Sequence, residues 1–365
     1  MTLVLDGIGK RVGGVLHLDG IDLTLPAGSV TVLLAPTLAG KTSVLRMMAG
    51  LDRPTAGRVL VDGQDVTGIG VRKRNIAMVY QQFVNYPSLT VYDNIASPLR
   101  MANNLSAGEI DRRVRATAAT MHIDSLLDRL PGQLSGGQQQ RTAIARALVK
   151  DTGLLLLDEP LVNLDYKLRE ELRAEMREIF ARRQVTVVYA TTEPTEALML
   201  GGNTAVLDAG RLLQFGTTID VYHRPASVRV GEVFSDPPMN LLPAELGAER
   251  MARVSADVAF AVAPHMRGLA TGRYRLGVRA NHISLEPTAA ASLAVPAKVE
   301  LSEISGSETF VHARHNGLTL VVQRAGVHRY ELGQPVTLYI DPGRLFAFDV
   351  AGALVAAPDR EPGGR

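Results

Sequence analysis

Two short runs, taken together, leave this chain few folds to choose from: Leu134-Ser135-Gly136-Gly137-Gln138-Gln139-Gln140-Arg141 and, one helical stretch later, Leu154-Leu155-Leu156-Leu157-Asp158-Glu159-Pro160. A serine hydroxyl beside two glycine amides makes a small anion cradle, because glycine lets successive N–H groups converge on one oxygen cluster without an intervening side chain. Such a cradle, with Gln138 beside it, suits the γ-phosphate of a nucleotide. The second run is apolar until it ends in two acids, and reads as a buried parallel strand. Its carboxyl end brings Asp158 and Glu159 to the crevice where ligands of open α/β sheets sit, one acid for Mg²⁺ and the other for a water.

A third run, Ala35-Pro36-Thr37-Leu38-Ala39-Gly40-Lys41-Thr42, lies between an apolar, β-branched strand at Val30–Leu34 and a helix at 42–49. Strand, loop and helix in that order make a phosphate-binding loop, even though Ala35 replaces the pattern's first glycine. Lys41 neutralises β- and γ-phosphate charge, Thr42 ligates Mg²⁺ with Ser43 beside it, and the amides at the helix start hold the remaining oxygens. Gln81 follows a strand at 75–80 and opens a loop from which its amide reaches Mg²⁺ or a water; Gln82 competes for that role. Asp158 is expected as the outer-sphere magnesium partner and Glu159 as the general base. Asp165 sits on a turn beyond them and also suits a helix N-cap, and the two roles are compatible.

The bulk properties fit two globular domains: 365 residues, 46% hydrophobic, with a net charge of +2. That charge gives no sign of a nucleic-acid partner. The absence of cysteine excludes disulfides, thiolate chemistry and zinc-thiolate sites. With Asp6 near the start and no apolar run approaching the ~20 residues of a membrane helix, neither a signal peptide nor a membrane span is expected. Residues 1–235 alternate strands and helices, including a charged amphipathic helix at 168–183 and a strand at 185–190. The expectation is a mostly parallel sheet covered by helices. Residues 236–351 change to short strands at 274–278, 297–301, 318–323 and 336–340, as in a small β-barrel or sandwich. A tail at 352–365, rich in Pro, Gly and charge towards its end, is expected to be disordered. His282, His312 and His315 lack convincing metal spacing, and Glu300, Glu303 and Glu308 read as solvated strand faces.

In this order the motifs resemble the ATP-binding cassette, and specifically the ATPase subunit of bacterial carbohydrate importers of the maltose-importer type. The likeness covers nearly the whole chain: Tyr222-His223-Arg224-Pro225, Met239-Asn240 and Leu276-Gly277-Val278-Arg279 match that family's linker and C-terminal regulatory domain. It implies an α/β nucleotide-binding domain with a helical subdomain, then an all-β oligosaccharide-fold (TOBE-like) domain. It also implies ATP and Mg²⁺ as cofactors, and a dimer at the cytoplasmic face of the plasma membrane. Each ATP would lie between the phosphate loop of one subunit and the Ser135 signature of the other. The loop Gln82–Pro87 corresponds to the contact surface for two membrane permeases, and an external solute-binding protein acts indirectly.

Four departures from that family fall on one half of the composite site. Val12 stands where an aromatic stacks on adenine, an interaction worth roughly 1 to 3 kcal/mol. Ala35 and Leu38 replace loop glycines, where a Cβ at positive φ costs on the order of 1 kcal/mol. Thr192 occupies the place of the switch histidine, although as local structure it is an ordinary polar residue before a helix with Pro194 in its first turn. Losing one transition-state donor slows a reaction roughly 100- to 1000-fold. ATP is therefore expected to bind and to turn over slowly at this chain's own loop. The resemblance extends to one of two unlike ATPase subunits in importers of glycerol or similar polyols. A heterodimer is favoured over a dimer of like subunits. A non-catalytic coupling subunit and an ion or polyamine importer are the alternatives.

Overall fold

The computed structural model describes residues 1–82, 84–102, 105–162, 164, 166–182, 185–287 and 293–360. The chain forms two compact units, Met1–Thr218 and Ile219–Arg365.

The first unit is built on a six-stranded sheet in the order Arg211–Thr217, Asn203–Asp208, Val30–Leu34, Thr186–Thr191, Leu154–Asp158, Ile76–Val79. All neighbours pair in parallel except the first two. Every residue of Leu154–Asp158 and Thr186–Thr191 is buried. That is why these segments read as unbroken apolar runs: central parallel strands are covered on both faces. Beside it lies a four-stranded antiparallel sheet ordered Val15–Leu25, Leu3–Val12, Ala56–Val61, Gln64–Asp65. Its first hairpin closes on Gly13 and Gly14, with φ of 55° and 82°, the two positive angles that a two-residue hairpin turn requires. Leu5, Ile8 and Leu23 of this sheet share one core with Val44, Met47 and Met48 of the Lys41–Ala49 helix and with Leu33, Leu156 and Val188. At about 1.5 to 3 kcal/mol for each buried side chain, that core fixes the helix start against the sheet. Helices Val91–Ala102, Ala107–Thr120 and Gly136–Leu148 supply the helical part, and Tyr166–Arg182 the long charged helix.

The second unit is all-β apart from short helices. One antiparallel sheet runs Ala259–Ala261, Met251–Arg253, Asn240–Leu246, Gly272–Val278, Phe346–Phe348, Leu354–Ala356. The other runs Ile283–Ser284, Pro335–Ile340, Leu293–Ile304, Glu308–His315, Leu318–Ala325. The four strands expected here all occur. Two boundaries differ from expectation. The unit begins at Ile219 rather than 236, because the helix Val228–Val233 packs through Val228 on Met239, Phe346 and Phe348 of this unit. Ordered strand also continues past 351, since Leu354–Ala356 pairs with Phe346–Phe348. Among the described residues no helix is long and apolar enough to cross a membrane.

Candidate active site

Four neighbouring parallel strands end on the same edge of the large sheet. Val30–Leu34 leads into the loop at Ala35, Thr186–Thr191 into Thr192, Leu154–Asp158 into Glu159, and Ile76–Val79 towards Gln81. Backbone bonds tie these ends together beyond the ladder: Ala35 N–H donates to Thr191 O (3.2 Å) and Glu159 N–H to Ala190 O (3.0 Å). The sheet therefore gathers the three sequence runs without help from side chains.

Within that edge the charged groups converge. Lys41 is buried, its Nζ donates to Ala35 O (2.9 Å) and Pro36 O (3.0 Å), and it pairs with Glu159 Oε1 at 3.0 Å. Glu159 also accepts a long bond from Gln81 Nε2 (3.4 Å), so Gln81, and not Gln82, is the glutamine the structure brings to the acid. Thr42 Oγ1 donates to Asp158 Oδ1 at 3.1 Å. Burial raises the Asp158 carboxyl above the ordinary aspartate range, against the lowering bond from Thr42. A bound cation would remove that penalty. The pair Thr42 and Asp158 offers the hard oxygens Mg²⁺ takes, and Mg²⁺ needs only one or two protein groups when phosphates complete its shell. Glu159 itself has φ of 44°, a left-handed backbone in a non-glycine residue, as strained active-site residues often show.

The phosphate loop is shaped by close packing. Ala39 N–H donates to Pro36 O (3.3 Å) and Ala39 O accepts from Gly210 N–H (3.1 Å). Gly40 has φ of 105°, and a Cβ there would lie 2.8 Å from Leu18 Cδ2, so glycine is required at that position. Thr37 and Thr42 are exposed, and Pro36 and Ser43 half-buried. The cost expected at the replaced glycines falls on only one of them. Leu38 has φ of 65° and is 98% exposed. Ala35 is absent from the positive-φ residues and lies in the core, so it carries no such strain. Val12 is exposed at the hairpin tip, opposite Val15. Thr192 is half-buried, directly after the strand flanked by Ala35 and Glu159. Asp165 lies outside the described residues.

Ser135 caps the Gly136–Leu148 helix in a reciprocal box: Gln138 N–H donates to Ser135 Oγ (3.3 Å) and Ser135 N–H to Gln138 Oε1 (3.0 Å). Ser135 and Gly136 are exposed and Gly137 is buried. Ser135 and Gln138 line a cleft with His122, Arg141 and Glu175, which contains none of the Lys41 group. A helix N-terminus offers free N–H groups to an anion.

Sequence reasoning missed a buried ion cluster behind Thr192. Arg173 pairs with Glu170, with Glu193 and, at 3.1 Å, with Glu196; Arg169 pairs with Glu193 at 2.6 Å. Glu193 N–H also donates to Thr191 Oγ1 (3.0 Å), so the residue after Thr192 is held from both ends. The available signal was Arg169 and Arg173, four apart and so on one face of a helix, opposite the acids of Thr192-Glu193-Pro194-Thr195-Glu196.

What such an edge can do is hold a nucleoside triphosphate by its phosphates and direct a water at the last of them; this is a P-loop ATPase. The chain belongs to the ABC transporter family, whose model matches residues 18–162, and a TOBE domain model matches 276–348. It is 37% identical over 366 residues to an sn-glycerol-3-phosphate import ATP-binding protein, UgpC, of Chromohalobacter salexigens, covering 99% of this chain and 97% of that one. It is 36% identical over 341 residues to the xylose/arabinose import ATP-binding protein XacK of Haloferax volcanii, covering 92% and 89%. Among solved structures it resembles a dimeric ATP-binding cassette in a post-hydrolysis state bound to ADP and Pi, with a TM-score of 0.54 and 28% identity, covering 59% of this chain and 98% of that chain.

Proposed function

We propose that this chain is one ATPase subunit of an importer for a sugar, polyol or related polyhydroxylated solute, glycerol among them. In this reading its own phosphate loop turns over slowly, while its Ser135 signature serves the site of an unlike partner. The observation that carries the slow site is Thr192, which stands at the strand end between Ala35 and Glu159, where a residue reporting on the γ-phosphate would sit. A threonine hydroxyl donates one short-reaching hydrogen bond and cannot become cationic. The relatives named for glycerol 3-phosphate and for xylose or arabinose support the solute class.

Lys41 and the loop amides bind the β- and γ-phosphates. Glu159, freed from Lys41 when phosphate takes the ammonium, orients the attacking water with Gln81. Thr42 and Asp158 would hold Mg²⁺, which would supply charge neutralisation to the phosphates. Closure of two subunits then brings the partner's signature helix against the γ-phosphate.

The loop Gln82–Pro87 is the proposed permease contact. Val84 and Tyr86 are exposed on it, yet its backbone is tied down. Buried Asn94 donates to Tyr86 O (3.1 Å), Leu89 O (2.9 Å) and Thr90 O (3.0 Å) and accepts from Tyr86 N–H (2.8 Å). Loop residue Asn85 donates to Gln139 O of the signature helix (2.8 Å), and Arg146 of that helix donates to Val84 O (2.5 Å). A push on this loop is thus transmitted to the Ser135 helix. Phe83 lies outside the described residues.

The test is ATP turnover by the purified chain with and without Thr192→His. Slow turnover that rises roughly tenfold or more with the histidine is expected from a missing donor. Brisk turnover by the unaltered chain, abolished by Glu159→Gln, defeats the slow-site reading. Val12, Leu38 and Thr192 also favour a purely coupling subunit as a second reading; full transport with Glu159→Gln in this chain would select it.

A further inference from the structure

The helix Lys41–Ala49 begins at the lysine of the phosphate loop, and its other end is held by an arginine from a different part of the chain. Arg74 stands just before the strand Ile76–Val79 that leads to Gln81, and it is only 8% exposed. Its guanidinium meets main-chain carbonyls from two segments. Nη1 donates to Met48 O (2.7 Å) and Met47 O (3.2 Å) in the last turn of the helix. Nε donates to Ile69 O (2.8 Å) and Nη2 to Val66 O, both between the strands Gln64–Asp65 and Ile76–Val79. No carboxylate pairs with Arg74 among the described residues, and burial alone lowers its pKa. The approach is close: a Cβ on Gly50, which ends the helix at φ of 73°, would lie 2.5 Å from Arg74 Nε. The last carbonyls of a helix have no partner within it, and a cation there meets both those acceptors and the negative end of the helix dipole. Buried Val44, Leu45, Met47 and Met48 press the helix into the core, but apolar contact is non-directional. Hydrogen bonds to the final turn set the position of the helix along its axis and its rotation about it. Nine residues, at about 1.5 Å each, span roughly 13 Å, so whatever fixes the far end of this short rod also fixes Lys41 and Thr42.

We propose that Arg74 is a positioning residue for nucleotide binding: by holding the carboxyl end of the Lys41–Ala49 helix, it keeps Lys41 and the amides at the helix start in place for the β-phosphate. ADP and ATP share that phosphate, so the effect belongs to the ground state. Once ATP saturates the loop, Glu159 and Gln81 act as before. A loss of this kind raises KM and leaves kcat alone. The inference rests on the reading of the phosphate loop as the nucleotide site, and is independent of slow turnover and of an unlike partner.

Full-length protein is titrated with MgADP by calorimetry, and hydrolysis is measured across a range of MgATP concentrations. Arg74→Met keeps the length of the side chain and removes its donors. It should weaken MgADP binding and raise KM for MgATP, each roughly tenfold or more, since a misplacement of about 1 Å can cost on the order of 100-fold. The rate at saturating MgATP should stay within about threefold. Arg74→Lys keeps a cation with fewer donors in reach and should recover part of the affinity. Lys41→Ala should abolish MgADP binding. Unchanged affinity in folded Arg74→Met, with binding lost in Lys41→Ala, overturns the positioning role alone; binding retained in Lys41→Ala overturns the reading of the loop beneath it. A saturating rate that falls more than the affinity also overturns the proposal, for Arg74 would then act through the strand of Gln81. If Arg74→Met does not fold, Arg74→Lys carries the test: a loss of affinity of about threefold or more supports the role, and wild-type affinity defeats it. If neither variant folds, the arginine is purely structural and the proposal fails.

Discussion

Leu38 shows how a single residue can oppose its own loop. Its side chain is almost wholly exposed while its backbone sits at φ of 65°, so it contributes no packing and carries the left-handed penalty that glycine would avoid. Leu38→Gly should therefore stabilise the first unit by up to about 1 kcal/mol, seen as a rise in its melting temperature of roughly 2–4 °C. Leu38→Ala, which keeps the Cβ, should leave the melt nearly unchanged; equal shifts for both would place the effect in the side chain instead. Glu159 makes the complementary case, since it combines a left-handed backbone with bonds to Lys41 and Gln81. Glu159→Gln keeps the shape and loses the proposed base, so residual ATP turnover should fall at least about 100-fold with nucleotide affinity retained. Single-turnover and equilibrium binding measurements on the same preparation separate the two.

Elements reveal roles that residues alone conceal, and the signature helix is one of them. Ser135 is a helix cap and, in the proposed reading, also a phosphate cradle, and the two functions can be parted. Ser135→Ala should cost about 1 kcal/mol of stability through the lost cap as well as partner-dependent ATP turnover; Ser135→Asn retains a capping oxygen and should recover the stability without the turnover. The long helix Tyr166–Arg182 holds the Thr192 turn through Arg173, whose pairs with Glu193 and Glu196 are largely buried. Arg173→Met leaves acids buried without their cation, a loss on the order of 3–5 kcal/mol. Burial raises the Glu196 carboxyl, more than Arg173 lowers it, from an ordinary value of 4.5. The contribution linked to that shift is thus fully present below pH 4.5 and is lost as pH rises through the raised value. Urea unfolding of wild type minus Glu196→Gln should show that decline across the window; a pH-independent difference would refute it. This cluster also marks the limit of the sequence. Strands such as Val30–Leu34 and the phosphate loop were legible because their signals are local runs. The strain expected at Ala35 and the boundary at 236 were not, because one depends on a backbone angle and the other on Val228 reaching Phe346 and Phe348 across the chain.

At the scale of the whole molecule, the question is which half of a composite site this chain supplies with full strength. Its capping box at Ser135 is intact and exposed, whereas in the proposed reading Val12, Leu38 and Thr192 weaken the phosphate-loop half; Ala35, though substituted, is unstrained. If ATP lies between two subunits, each substitution here acts on one identified site. In an unlike pair, Ser135→Ala removes the cradle from the partner's fast site, while Lys41→Ala removes only a loop that is already slow. ATP turnover of the reconstituted transporter should then fall at least about 100-fold with Ser135→Ala, the size of a lost transition-state group, and by less than about threefold with Lys41→Ala. In a dimer of like subunits both substitutions strike every site, so the two losses would be equal. The ratio of the two losses therefore reads out the assembly directly, whatever the absolute rate of the chain alone, and a ratio near one would end the asymmetric reading.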